Sequence, residues 1–347
     1  MRTILIKDCI LMSRIANVFR QSLLAASFCL STGLAYAETL TIYSARTEEL
    51  LKPILDVYQK ETGVTIRVVN NREAVLLDQL KAEGRRTTAD MLITVDAGNL
   101  WLAAEAGVLR PIRSAALQKA IPANLRDPGN QWFGLGIRAR TVFFNTDKLN
   151  ASDVVSYEDL ADPRWKGRLC LRTSKKVYNQ SLVAMLIAEH GEAKTEAIVR
   201  GWVNNLATPP FSDDTRLLEA IAAGQCEVGI ANTYYFGRYK AAQPNAKVDI
   251  AWPNQKADGV HINISGAGVT KHAKNPAGAQ RLLEWMASEK GQSLFADVNM
   301  EYPANPAVKP AESVSAWGTY KASSLNVIQA GKLQRRATQL MDRVGYR

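Results

Sequence analysis

The chain has 347 residues, 47% hydrophobic and 22% charged, with 4 cysteines and a formal net charge of +10. These proportions belong to a globular protein and exclude a disordered tail, a collagen or a small disulfide scaffold; the length suits about two domains of roughly 150 residues each. Only one apolar stretch approaches membrane length, near the N-terminus, which excludes a multi-span membrane protein.

That stretch is the first element. Arg14 and Arg20 precede an apolar run from Ser22 to Leu34, and Ala35-Tyr36-Ala37 follows before Glu38. Positive charge, apolar run and small residues in that order read as a secretory signal peptide over residues 1–37, with Met12 as an alternative start. A membrane anchor is the competing reading; the short run and the A-x-A directly after it weigh against one. An exported, soluble protein is expected. Its basic residues alternate with acidic ones, as in LLEWMASEKG, so solvated faces explain most of the positive charge and no nucleic-acid partner is expected.

The chain then alternates strand-type and helix-type runs. TLTIYSA predicts a strand, EELLKPILDVYQKETG a helix ended by Gly63, VTIRVVN a strand, REAVLLDQLKAEG a helix ended by Gly84, and ADMLITVD a third strand before AGNLWLAAEAGVL. Such β-α-β-α-β order implies a mostly parallel sheet covered by helices. After the Pro/Gly-rich stretch IPANLRDPGNQWFG a second series follows: the strand RLCLR, a helix from about Ser181 to His190, the helix RLLEAIAAG and the strand EVGIAN. Two extended segments, GLGIRARTVFFN and VHINISGAGVT, lie between the series and read as crossovers. The fold class expected is therefore α/β with two discontinuous lobes, mixed sheets with flanking helices, and a two-strand hinge. The approximate boundaries are 38–137 plus 261–311 for the first lobe and 138–260 plus 312–347 for the second. Ligands bind outside the carboxyl ends of strands in open α/β sheets, here an interlobe cleft that hinge closure can bury. Two domains with a static interface are the alternative.

Cys170 and Cys226 remain after processing, in the apolar runs RLCLR and CEVGIA, which read as buried strands. An even pair in an oxidising compartment favours a disulfide, with two buried free thiols as the alternative.

The GxSxG, HExxH, GxGxxG and GxxxxGK[ST] motifs are absent. His190, His261 and His272 are scattered and read as surface or helix-end residues. A secreted hydrolase would have only Asp90, Asp96, Asp213 and Asp214 to draw on, without a recognisable acid/base pattern; no enzyme is expected. The strongest local signal is ANTYYFGRY, with Tyr234 and Tyr235 where a strand end opens into the cleft, and Tyr178 in SKKVYNQS follows the strand RLCLR. Packed aromatics with exposed hydroxyls would look the same at each site alone, but three phenols at neighbouring strand ends are less ordinary. Phenolate oxygen is a hard, anionic donor suited to a small trivalent cation, and iron(III) with three phenolates is neutral, leaving positions for a small anion. Two fixed positive charges would hold a dianion, with arginine as the bidentate donor.

YSAR, ADMLITVDAGNLWLA, the RAR segment, YEDLADPRWKGRLCLR, VYNQSLVA, ANTYYFGRY and EYPANP together resemble the periplasmic ferric-ion-binding proteins, substrate-binding components of bacterial ABC iron importers. The resemblance covers nearly all of the mature chain. NTYY and YNQS are specific to the ferric branch, whereas the DP-WKG stretch is generic to related binding proteins. It implies a type II-like periplasmic-binding-protein fold, with Fe(III) ligated by Tyr178, Tyr234 and Tyr235. It further implies carbonate or bicarbonate as synergistic anion on Arg46 and Arg138, and a monomer serving an inner-membrane permease and its ATPase. Where family members often carry His-Tyr after YS-x-R, this chain has Thr47 and Glu48, so Glu48 is a further candidate oxygen ligand, and Tyr43 is read as packing. On the same fold, an organic anion or polyamine is the alternative solute.

Overall fold

In the computed structural model, residues 38–347 are described; the signal-peptide reading falls on residues 1–37, outside them. The first alternating series forms as expected: β1 Thr39–Ser44, α1 Glu48–Thr62, β2 Thr65–Asn70, α2 Glu73–Glu83, β3 Met91–Thr94, α3 Ala97–Glu105 and the short α4 Ala115–Ala120. β1 runs parallel to both β2 and β3. Gly63 ends α1 in the left-handed region at φ 72°, where a side chain would be strained and glycine is not.

β4, Phe133–Asn145, and β8, Ile262–Val269, are the two crossovers. Between them come β5 Leu169–Cys170, α5 Val177–His190, α6 Glu192–Asn204, α7 Asp214–Ala222, β6 Val228–Asn232, α8 Thr233–Ala242 and β7 Val248–Ala251. After β8 the chain makes α9 Pro276–Ala287, α10 Glu289–Asn299, β9 Tyr302–Pro303, α11 Glu312–Ser315, α12 Gln329–Lys332 and α13 Gln334–Arg343. The strand order is β2-β1-β3-β8-β4-β6-β5, with β7 and β9 also paired to β4.

β4 changes partner in mid-strand. Its residues up to Ala139 pair antiparallel with β8, and from Arg140 onward it pairs with β6 and β7. At the switch the Arg140 N–H donates to the His261 carbonyl at 3.1 Å, while the Tyr157 hydroxyl donates to the Arg140 carbonyl at 2.5 Å and accepts from the His261 N–H at 3.2 Å. One core lies on each side. The first takes Leu40 through Ala139, Val260 through Ala304, and Val327 and Ile328; the second region is packed from Val142 through Ala251 and from Ala337 through Tyr346. The expected boundary at 311 gave residues 312–347 to one lobe, whereas that tail feeds both cores.

Four local expectations change. The helix expected from Ser181 begins at Val177; Lys176 stands at its cap without a side-chain bond, so no Ser, Thr, Asp or Asn marked its start. RLCLR pairs with β6 only at Leu169 and Cys170; beyond them Arg172 bridges to Phe211 instead. Cys226 lies two residues before β6 rather than within it. His261 is neither a surface nor a helix-end residue but is buried at the β4 switch. A disulfide joins Cys170 to Cys226, with Cα atoms 5.9 Å apart, and closes a separation of 56 residues.

Candidate metal centre

Two helices begin at one cavity. α5 carries Tyr178 in its first turn, and α8 carries Tyr234 and Tyr235 in its own. Neither start is closed by a side-chain cap. At α8 the reason is plain: Asn232 occupies the cap position but its Oδ1 accepts from Arg140 Nη1 at 3.0 Å. Uncapped first-turn N–H groups carry the helix's partial positive charge and favour anionic oxygen nearby. The rings of Tyr234 and Tyr235 have centroids 4.5 Å apart, and the hydroxyls of Tyr178 and Tyr234 interact. With Arg46, Arg138 and Glu301, these three tyrosines line a cavity of about 600 Å³. Arg72, Lys176 and Arg238 add further positive charge to its wall, and Glu73 a negative one.

Arg140 holds the two helices together. It is 1% exposed and donates through Nε to Asn179 on α5 at 2.8 Å, through Nη1 to Asn232 and to Asp214 at 3.1 Å, and through Nη2 to the Ile230 carbonyl at 3.3 Å. A buried charge satisfied on every side fixes geometry, and removing a partner leaves an uncompensated ion. The sequence reading passed over Arg140; its signal was an arginine at alternate spacing from Arg138 in the otherwise apolar run IRARTVFFN.

Arg46 sits in the turn after β1 and is 4% exposed. It donates to Asn299 and Ser265, and pairs with Glu301 at 2.9 Å, leaving Nε without a partner. Arg138, on β4, donates through Nη1 to Ser265 at 3.0 Å and keeps Nη2 buried and unpartnered. Both sites therefore hold an open donor. Glu48 lies elsewhere: it is exposed and borders a separate groove with Leu51 and Lys52. Tyr43 donates its hydroxyl to Glu83 at 2.8 Å, a packing role.

Burial raises the phenol pKa values of Tyr178 and Tyr234; the field of Tyr235 pushes both the same way, and Arg138 pulls both down. Without metal these two phenols are protonated near neutrality. The four aspartates considered for hydrolysis are engaged structurally. Asp90 accepts from the Thr41 and Asn275 N–H groups, Asp213 caps α7, and Asp214 accepts from Arg140 and the Asn232 N–H. Asp96 caps α3 and accepts from Ser181 of α5 at 2.8 Å and Asn263 of β8 at 2.7 Å. Carboxylates committed to structural donors in this way are poorly placed to exchange protons with a substrate.

The model of the bacterial extracellular solute-binding protein family matches residues 54–322. Iron uptake protein A2 of Synechocystis sp. is 38% identical over 320 residues, covering 90% of this chain and 91% of that protein. Iron uptake protein A1 of the same organism is 36% identical over 316 residues, covering 89% and 88%. A Trichodesmium structure, IdiA (FutA) in complex with iron and citrate ligands, matches with a TM-score of 0.86 at 41% identity, covering 89% of this chain and 100% of that one. Ferric iron-binding protein A of Mannheimia haemolytica, in an open conformation, matches with a TM-score of 0.84 at 36% identity, covering 89% and 99%. These similarities reach across both cores and the β4 switch between them, the arrangement of a two-lobed α/β binding protein. The chain belongs to the bacterial extracellular solute-binding proteins, and its close relatives include iron uptake and ferric-binding proteins.

Proposed function

We propose that this protein binds ferric iron in the periplasm and hands it, as a monomer, to an inner-membrane ABC permease and its ATPase. Tyr178, Tyr234 and Tyr235 are the ligands, and a carbonate-type anion on Arg46 and Arg138 completes the shell. Residues 1–37 act as the signal peptide, and the two lobes, 38–137 plus 261–311 and 138–260, close about β4 and β8, with the tail 312–347 shared between them. The observation that carries this reading is the convergence of three phenols from two helix starts on one cavity. Iron uptake and ferric binding in the relatives support it. Hard phenolate donors suit a trivalent cation, and the open donors Arg46 Nε and Arg138 Nη2 suit a small anion.

The cavity, about 600 Å³, exceeds a bare ion, which favours an organic anion as the second reading. A polyamine fits worse, because the lining cations outnumber Glu73 and Glu301.

The test is optical. Adding ferric citrate at neutral pH should produce the red to orange band of phenolate-to-iron charge transfer. Because burial keeps Tyr178 and Tyr234 protonated in the metal-free protein, both release a proton on ligating iron, and affinity falls as pH falls. The double variant Tyr234→Phe/Tyr235→Phe should lose the colour and more than about 100-fold in ferric affinity while keeping its fold. A colourless wild-type protein that binds iron-free citrate calorimetrically would establish the organic-anion reading instead.

A further inference from the structure

Several cations stand against the three phenols. Lys176 Nζ lies 4.8 Å from the Tyr178 ring centroid, and the guanidinium carbons of Arg172 and Arg138 lie 5.6 and 5.7 Å from it. Arg238 stands 5.2 Å from the Tyr234 ring. Among the described contacts Arg172 alone reaches two of the rings, its guanidinium carbon lying 5.8 Å from Tyr235 as well.

The backbone carbonyl of Arg172 accepts from Asn179 Nδ2 at 2.8 Å and from the Tyr346 hydroxyl at 2.7 Å, so the side chain departs from a fixed point. Its Nε donates to the Ser212 carbonyl at 3.2 Å. Its Nη1 lies 3.5 Å from Asp214 Oδ1, beyond normal hydrogen-bond length, and both atoms are buried without a hydrogen-bond partner. The other Asp214 oxygen is taken by Arg140 and the Asn232 N–H. Burial opposes the charge on Arg172, but Asp214 and the Tyr235 and Tyr178 phenols outweigh it, and the guanidinium stays protonated. The group is thus anchored behind and keeps a donor open beside the phenols.

We propose that Arg172 is a positioning residue of the ferric centre, fixing the spacing of Tyr178 and Tyr235 and donating a hydrogen bond to the phenolate that Tyr235 becomes when iron displaces its proton to solvent. This rests on the ferric reading above. The metal-free geometry, with Nη1 unpartnered and Asp214 held at arm's length, is that of a donor short of its acceptor. A cation nearer the phenolate oxygen than the iron lowers the energy of the donor orbital more than that of the acceptor, which moves the charge-transfer band to shorter wavelength.

The experiment compares wild-type, Arg172→Gln and Arg172→Lys proteins loaded from ferric citrate, reading band position, ferric affinity by chelator competition and circular dichroism. Arg172→Gln should bind ferric iron roughly tenfold to a hundredfold more weakly, with its band displaced to longer wavelength. Arg172→Lys keeps the charge without the planar fork and should fall between the two. A variant with wild-type band position and affinity overturns the proposal, even if its stability is lower. Should Arg172→Gln not fold, Arg172→Lys carries the same test, and an unmoved band there refutes it. A wild-type protein that never colours refutes the ferric reading itself, a result distinct from either.

Discussion

The two walls of the cavity are built on opposite plans. On the first wall the functional side chains are themselves held, each keeping one nitrogen open: Arg46 donates to Asn299, Ser265 and Glu301, and Arg138 to the same Ser265. On the second wall the phenols are held more loosely, meeting one another, the Arg172 guanidinium beside Tyr235 and the Asn232 amide at 3.4 Å from the Tyr234 hydroxyl. The rigidity there lies one layer behind, in Arg140, Asn179, Asp214 and Asn232. A wall that grips a small anion gains from being fixed in advance, because ordering its side chains on binding would be unfavourable. A wall of ligands must leave its oxygens unclaimed, so the hydrogen bonds go to the residues that aim them.

If support behind the second wall matters, removing it should weaken binding as well as the fold. The disulfide offers the largest such effect, because it ties β5 to the approach of β6, the strands leading to Tyr178 and to Tyr234. Cys170→Ser/Cys226→Ser opens a separation of 56 residues and should destabilise the protein by about 4 kcal/mol in chemical denaturation, from loop entropy in the unfolded chain. Its ferric affinity should also fall. Affinity that stays level while stability drops would place the aiming function entirely in the Arg140 network.

His261 sets a smaller effect, at the junction between the walls. Its ring is buried with both nitrogens lacking a hydrogen-bond partner. Burial, followed by the fields of Arg140 and Arg138, pushes its pKa from 6.5 to about 3. The native ring is therefore neutral where the unfolded one is already charged. Above pH 6.5 both states are neutral and the fold keeps its full stability; as pH falls from 6.5 towards 3 the unfolded chain takes up a proton the native one refuses, and stability drops. Between pH 7.5 and 4.5 the loss should be about 2–3 kcal/mol from this group. His261→Leu should flatten that part of the pH profile of denaturation, and an unchanged slope would show that the ring is charged in the native state.

Much of the fold was legible because its signals are local. β1, α1 and its terminal Gly63, and the two crossovers follow from periodicity and turn chemistry, and the adjacent tyrosines announced themselves by composition. What stayed hidden depends on contacts between distant segments. The start of α5 carries no capping residue because Lys176 faces the cavity, so Tyr178 was read in a loop when it rides the first helical turn. Arg140 and Arg172 look like surface arginines until β4, α5, α7 and α8 enclose them, since a buried charge has no distinct spelling. His261 was misread for the same reason: nothing beside it in sequence reveals that Tyr157 and β4 close over its backbone.

Glu48 is the smallest test and the sharpest on where the first wall ends. It follows Arg46 by two residues and stands where related proteins often carry the tyrosine of His-Tyr, which in sequence made it a candidate oxygen ligand. α1 begins at Glu48, and the chain turns there so that Arg46 enters the cavity while Glu48 faces solvent beside Leu51 and Lys52. Two residues apart at the start of a helix, the side chains lie on different faces and do not meet. An exposed carboxylate at the first turn favours the helix through its dipole by about 0.3–1 kcal/mol, and that is the role its position supports. Glu48→Gln should leave the charge-transfer band and the ferric affinity unchanged and lower stability by no more than that. A shifted band in Glu48→Gln would mean that lobe closure swings the start of α1 into the cleft and extends the first wall to a ligand.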